Sequence, residues 1–358
     1  MRRKGRVTRR EFLKKGVVAS TAVATGVSIL PRRASAKPSQ LVVALWGGAY
    51  GRGVHAAVGK RFQKETGIRV VYEYGVGGPR HAKLRATRGN PVVDVAFFEF
   101  FRSIPALKEG LIEPPNYEAG GPVPNAAKLS KPMKLPQGYG LWGDGFGLAY
   151  HRKAKKAPQA WADLWDSAYR KDVGVHNPSQ NRGLMFLVMA AIVGGGDERN
   201  IDPGFERLKA LKPNTAAVIT SIAEAQTGFS QQLFHVTGFW NSYINSWRDG
   251  GLKVFYKYPR ERAVGMFDTI SVVKGISKDR RQSALKFINL ALSAEAQAQY
   301  ASKSYWVPGN PKALPLVPQS TRERLLSQEQ IEQSRILDWE LVISNQEKWA
   351  RRFEKILS

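Results

Sequence analysis

Cysteine is absent from the 358 residues. That absence removes disulfides, iron–sulfur clusters, thiolate zinc sites, a cysteine nucleophile and a lipid-modified N-terminal cysteine. Histidine is scarce: His55, His81, His151, His176 and His235 stand apart, without the spacing that metal ligation on one helix requires. There is no P-loop and no G-x-S-x-G turn, and Gly143-x-Gly145-x-Gly147 lacks the dinucleotide spacing. Beyond residue 36 no apolar run is long enough to cross a bilayer, and no internal repeat or low-complexity tract occurs. The pattern points away from an enzyme and from any cofactor. A periplasmic hydrolase working with two carboxylates, such as a glycosidase, passes this sieve as the alternative, because its acids need not be close in sequence.

Acidic residues are also few, 29 against 55 Lys and Arg, for a net charge of +26. Part of that excess belongs to the first 36 residues. Thr8-Arg9-Arg10-Glu11-Phe12-Leu13-Lys14 precedes a modestly apolar run from Gly16 to Leu30, and Ala34-Ser35-Ala36 offers a cleavage site. Residues 1–36 read as a twin-arginine signal peptide, which engages the twin-arginine translocase and directs the chain to the periplasm. Without them the net charge is +17, because they hold ten Lys/Arg and one acid. The remaining positive residues are spread along the chain, with no nucleic-acid fold motif, so they read as a solvated surface and not as a nucleic-acid site.

The mature chain alternates strand and helix. Leu41–Leu45 is a continuous apolar run of the kind that forms a strand buried on both faces. A helix over about 50–66 ends at Gly67, a second strand covers Ile68–Tyr74, a helix lies near Pro79–Arg88, and Val92–Phe98 is a third strand. Residues 113–140, rich in Pro and Gly, read as an irregular connection. Phe146–Tyr150 leads into a second α/β lobe with strands at Asp172–Val175, Phe234–Phe239 and Leu252–Tyr256 and helices at Leu184–Val193 and Phe205–Leu211. The strand Thr269–Val273 and later helices return to the first lobe, and Trp349, Phe353 and Ile356 mark a core-facing stripe in the tail. The expected fold is α/β, a two-lobed clamshell with two hinge crossings: 37–145 with 263–358, and 146–262.

Several segments carry a resemblance. Trp46-Gly47-Gly48-Ala49-Tyr50, Phe62–Ile68, Asn90–Val95, Trp161-Ala162-Asp163-Leu164-Trp165, Tyr258-Pro259-Arg260-Glu261 and Ala284–Gln297 occur in an order that resembles the extracytoplasmic solute-binding proteins of ABC importers. The similarity is to the spermidine/putrescine-type branch of the type II periplasmic-binding-protein fold. It implies a monomer that captures a small-molecule solute and delivers it to an ABC permease and its ATPase. A ferric-ion binder of a neighbouring branch uses adjacent tyrosines, and this chain has no Tyr-Tyr pair.

Candidate ligand residues emerge from both readings. Trp46 and Tyr50 flank Gly47 and Gly48 at a strand end, where α/β sheets place ligands and glycine lets backbone come close. Trp240 ends a strand and precedes Asn241, whose amide suits a polar ligand; the resemblance sets it on the far wall. Asp268 corresponds to the family's amine-binding carboxylate. The departures redirect the substrate. Where polyamine binders carry an acidic cluster, this chain reads Asn177-Pro178-Ser179-Gln180-Asn181-Arg182-Gly183; Met266 replaces a tryptophan, and Arg262 replaces a small residue. An arginine at a helix N-terminus grips an oxyanion and repels a polycation. Ser179, Asn181 and Arg182 are therefore expected to hold the anionic end of a polar or charged organic solute whose amine meets Asp268.

Overall fold

The computed structural model describes residues 38–357; the signal-peptide reading concerns residues outside that range. Eleven strands form one curled sheet: β1 Gln40–Leu45, β2 Arg69–Tyr74, β3 Val95–Glu99, β4 Lys134–Leu135, β5 Gly138–His151, β6 Val173–His176, β7 Thr215–Ile219, β8 Val236–Trp240, β9 Val254–Lys257, β10 Val264–Val272 and β11 Val307–Pro308. Their main order is β2-β1-β3-β10-β5-β8-β6-β7, with β4, β9 and β11 also on β5. The β1–β2 and β1–β3 pairs are parallel, as are β6–β7 and β6–β8. Each parallel pair needs a crossover helix, which covers the sheet's faces.

The helices between them are α1 Gly48–Val54, continued through a π-helical turn at His55–Gly59 into α2 Lys60–Thr66, then α3 Gly77–Ala86, α4 Phe100–Lys108, α5 Asn181–Val193, α6 Asp202–Leu211, α7 Ile222–Gln231, α8 Asn241–Asp249, α9 Lys278–Ala291 and α10 Ala294–Ser304. Gly67 closes α2 at φ +72°, the left-handed conformation that glycine adopts without strain.

Strand β5 organises the molecule. Its first part pairs with β10, from Tyr139 opposite Ile270 to Phe146 opposite Val264; its last part pairs with β8 and β9. Phe146 stands opposite both Val264 and Trp240, so one residue marks where the sheet passes from its first half to its second. The sequence shows only the end of this strand as apolar, because glycines interrupt the rest. They are needed for close packing: a Cβ on Gly140 would fall 2.4 Å from the Met133 carbonyl oxygen, and one on Gly147 would fall 2.3 Å from the Tyr256 hydroxyl. The chain returns between β9 and β10 through a turn in which Arg262 has φ +76°. In that left-handed conformation a side chain costs strain that glycine would avoid.

The tail is helical over much of its length. It carries α11 Gln319–Arg322, α12 Gln328–Gln333, α13 Trp339–Ser344 and α14 Gln346–Leu357. Trp349, Phe353 and Ile356 are buried. Arg352 pairs with Asp202 on α6, Arg324 with Asp249 on α8 at 2.8 Å, and Gln346 donates to the Ser179 carbonyl. Trp339 meanwhile stacks on Phe101 of α4 at 4.3 Å. The tail therefore touches both halves.

Candidate functional site

At the end of β1 the chain turns through Gly47 and Gly48, the latter at φ +65°, and enters α1 with Tyr50 in its first turn. The Tyr50 hydroxyl donates to Asp268 Oδ2 at 2.8 Å, and the indole N–H of Trp142 donates to the same oxygen at 3.1 Å. Trp142 is the residue of β5 directly opposite Asp268, which puts both side chains on one face. Tyr300 stacks on Trp142 with ring centres 3.7 Å apart, and Trp46 meets Tyr50 edge-on at 4.8 Å. Asp268 lies beneath this aromatic cover, buried and without a salt-bridge partner among the described residues. Burial pushes its carboxyl up to about 8; Glu99, opposite on β3, adds to the rise, while the Tyr50 and Trp142 hydrogen bonds and Arg80 oppose it. Trp46 is less available than its sequence position suggests: the buried Arg80 guanidinium already lies over its ring at 4.7 Å.

Across the sheet's transition, α8 starts directly after β8. A cavity of about 450 Å³ lies between α1, α8 and α10, with Tyr50, Ser242, Tyr243, Ser246, Tyr300 and Trp306 among its walls. Burial raises the Tyr243 phenol, Arg182 opposes that rise, and Asp144 and Asp268 add to it. Tyr243 therefore lies within electrostatic reach of all three groups. Arg182 is the second residue of α5, half-buried, and its Nε is enclosed without a hydrogen-bond partner. Burial lowers its affinity for the proton, with Tyr243 opposing. Beside it His176 is pushed down to about 3, by burial first and by the Arg182 charge second, and pairs with the Gly238 carbonyl at 2.8 Å. Asp144 on β5 is fully buried and pushed up to about 7 by burial, partly offset by Ser242 and Gly145 as donors.

The model of a protein family described as bacterial extracellular solute-binding proteins matches residues 57–324. The chain belongs to this family of solute-binding proteins. The spermidine/putrescine-binding periplasmic protein of Salmonella typhimurium is 24% identical over 254 residues, 68% of this chain and 70% of its own length. A Salmonella paratyphi A periplasmic protein named for binding 2-aminoethylphosphonate is 26% identical over 253 residues, 69% and 71% of the two lengths. Among solved structures, an extracellular solute-binding protein from Bordetella parapertussis superposes with a TM-score of 0.78 at 22% identity, over 89% of this chain and 99% of that one. The fold is the two-lobed α/β clamshell of solute-binding proteins, and the protein is periplasmic. No described helix is long and apolar enough to cross a membrane.

In this solute-binding protein the structure gathers Trp46, Tyr50 and Asp268 at one point, and Arg182 and Asp268 both act electrostatically on Tyr243; of these sequence candidates only Tyr50 lines the cavity. Gly47 and Gly48 form the turn below Tyr50. Trp240 is buried edge-on against Phe146 and does not line the 450 Å³ cavity. Asn241 donates to the Arg324 carbonyl and accepts from Asn245, which turns its amide toward the tail. Ser179 is exposed and its N–H bonds Asn177; neither it nor Asn181 lines the cavity. Trp142, Tyr243, Tyr300 and Asp144 were not among the sequence candidates. Trp142 is the one with a readable signal, a lone indole in a glycine-rich strand.

The raised carboxyls have a stability consequence. Asp268 and Asp144 keep protons in the folded protein that the unfolded chain releases near pH 4. Their contribution is therefore fully present below about pH 4 and declines as pH rises through the folded values, about 7 and 8. Scanning calorimetry of the unliganded protein from pH 5 to 9 should show Asp268→Asn gaining stability relative to wild type as pH rises. A constant difference across that range contradicts the assignment.

Proposed function

We propose that this protein is the substrate-binding component of an ABC importer, and that its solute is small and carries both a protonated amine and an oxyanion. Residues 1–36 serve as a twin-arginine export signal, and the mature protein acts as a monomer. The chain up to residue 145 with the segment from 263 forms one lobe, and 146–262 forms the other. In the free protein the lobes move apart through β5 and the 258–263 turn; a solute that touches both favours the closed form, which a permease recognises while its ATPase drives transport.

The observation that carries the reading is an acid and a cation, Asp268 and Arg182, near one cavity, neither of them in a salt bridge. Asp268 has hydrogen-bond donors and no salt bridge, with Arg80 as a cation within electrostatic reach, and Arg182 has neither a hydrogen bond nor an ion pair among the described residues. Asp268 answers its burial by holding a proton, and Arg182, half-buried, keeps its charge without a partner, so each is a position that a complementary ligand group stabilises. Tyr50, Tyr300 and Tyr243 supply ring faces for an ammonium, each worth about 0.5–2 kcal/mol once water is expelled. The two curated relatives are named for amine-bearing solutes, one with an acidic group and one without. Arg182 favours the solute with the acid.

Isothermal calorimetry on the unliganded protein tests this. 2-Aminoethylphosphonate or a comparable amino acid with separated charges is expected to bind at least about tenfold more tightly than spermidine. Tight spermidine binding with no heat from any zwitterion overturns the reading.

A further inference from the structure

Helix α8 begins with N–H groups that its own N-cap residue does not satisfy, since Trp240 provides no side-chain acceptor. The acceptor comes from another strand. Asp144, fully buried on β5, accepts on Oδ2 from the Ser242 hydroxyl and, at 3.3 Å, from the Ser242 N–H, with the Asn241 N–H also contributing; Gly145 N–H holds Oδ1 at 2.8 Å. Met266, opposite Asp144 on β10, has no donor to offer it. A helix N-terminus of this length attracts oxyanions through its unpaired N–H groups and its dipole. Here that position is already filled by a carboxyl group belonging to the protein.

Ser242 and Tyr243 are also walls of the 450 Å³ cavity, so the filled terminus borders the space assigned to the solute. The opposite arrangement holds at α5, whose first turn carries no acid and whose second residue is the unpartnered Arg182. Two helix N-termini of the second half thus differ in kind: α8 is closed by a carboxylate, and α5 carries a cation with nothing to hold.

We propose that Asp144 is a selectivity residue, an internal carboxylate that occupies the α8 N-terminus and steers a solute's oxyanion away from it and onto Arg182. The inference rests on the reading of this cavity as the solute site. It assigns to Asp144 two effects that a helix cap alone lacks. The residue denies the α8 N–H groups to an anion, and its carboxyl, like that of Asp268, gives an arriving ammonium an acid beside Tyr243 that it can ionise. Compounds that carry an oxyanion without an amine are then rejected for two separate reasons.

The test compares wild type, Asp144→Ala and Asp144→Asn by calorimetry against ethylphosphonate, putrescine and 2-aminoethylphosphonate. Ethylphosphonate is expected to gain at least about tenfold in Asp144→Ala, the worth of one charge-assisted hydrogen bond to a freed N–H. Putrescine is expected to lose affinity in the same variant. The gain persists in Asp144→Ala combined with Arg182→Met, because the new oxyanion position is α8 and not α5. Asp144→Asn keeps an acceptor for Ser242 but loses the charge and the acceptor for the Gly145 N–H, so a smaller, severalfold gain is expected, and this variant decides the matter if the alanine variant does not fold. Equal weakening of all three compounds, or no change in ethylphosphonate, means that Asp144 only caps the helix and overturns the proposal. If wild type ignores 2-aminoethylphosphonate while the ethylphosphonate gain still appears, the solute assignment fails and the role of Asp144 stands.

Discussion

Asp268→Asn is expected to weaken binding of 2-aminoethylphosphonate by about a hundredfold or more, and to remove its pH dependence below neutrality. Truncating one partner of a buried, hydrogen-bonded charge pair typically costs about 2–5 kcal/mol. Here the pair forms between the solute's ammonium and a carboxylate already oriented by the Tyr50 hydroxyl and the Trp142 indole. Asparagine keeps the shape and an acceptor for both donors, so the aromatic cover stays in place. The loss then reports the missing charge and not a collapsed site.

The protonation state of Asp268 sharpens this test. With its carboxyl pushed up to about 8, the empty site is mostly neutral at pH 7. An arriving ammonium favours the ionised form, so binding releases roughly nine-tenths of a proton at pH 7. The apparent affinity should rise about tenfold from pH 6 to pH 7 and level off above about 8, where the carboxyl is already ionised. Calorimetry in two buffers of different ionisation enthalpy measures the released proton directly. A solute that binds with no proton release, or an Asp268→Asn variant that keeps wild-type affinity, removes Asp268 from the site.

Much of this geometry was legible in the chain, for reasons that differ from residue to residue. Leu41–Leu45 and Val92–Phe98 read as buried strands because a parallel strand covered on both faces has no polar alternation to confuse it. Tyr50 was accessible through the glycine turn at a strand end, and Asp268, in the middle of β10, through the family resemblance. Strand β5 was mostly hidden, because its glycines accommodate neighbours that are distant in sequence, and nothing local announces Met133 or Tyr256. β7 and α7 were missed for another reason. Thr215–Ile219 is an edge strand that buries little, although Ser221 capping the Glu224 N–H was a readable helix start. Trp240 and Asn241 show the limit of reading function from residue type. Their chemistry suits a ligand, but the tail, whose path no local pattern reveals, claims the asparagine amide, and Phe146 packs against the indole. Tyr243, three residues after Trp240, takes the cavity wall because one turn of helix points it there.

Arg182→Met is the second large effect expected, and its two parts have opposite signs. Binding of 2-aminoethylphosphonate should fall by roughly a hundredfold, the cost of leaving the phosphonate without its buried cation. The empty protein should become more stable, because the half-buried Arg182 carries its charge without a partner and methionine of similar length removes that cost. The helix itself gives an independent reason. Arg182 sits in the first turn of α5, the positive end of the helix dipole, where a cation is unfavourable and no acidic residue compensates it. A residue that costs stability through burial and through the dipole is retained for something outside the free protein, and His176, held neutral at its side, does not compete for the anion. Arg182→Lys separates charge from shape: it keeps the cation and loses the two-pronged grip, so an intermediate affinity is expected. Spermidine, which has no oxyanion, should bind Arg182→Met at least as well as wild type. Thermal unfolding and calorimetry on the same preparations read both signs together. If neither the unfolding midpoint nor the aminophosphonate affinity moves, Arg182 faces solvent and the oxyanion end of the site lies elsewhere.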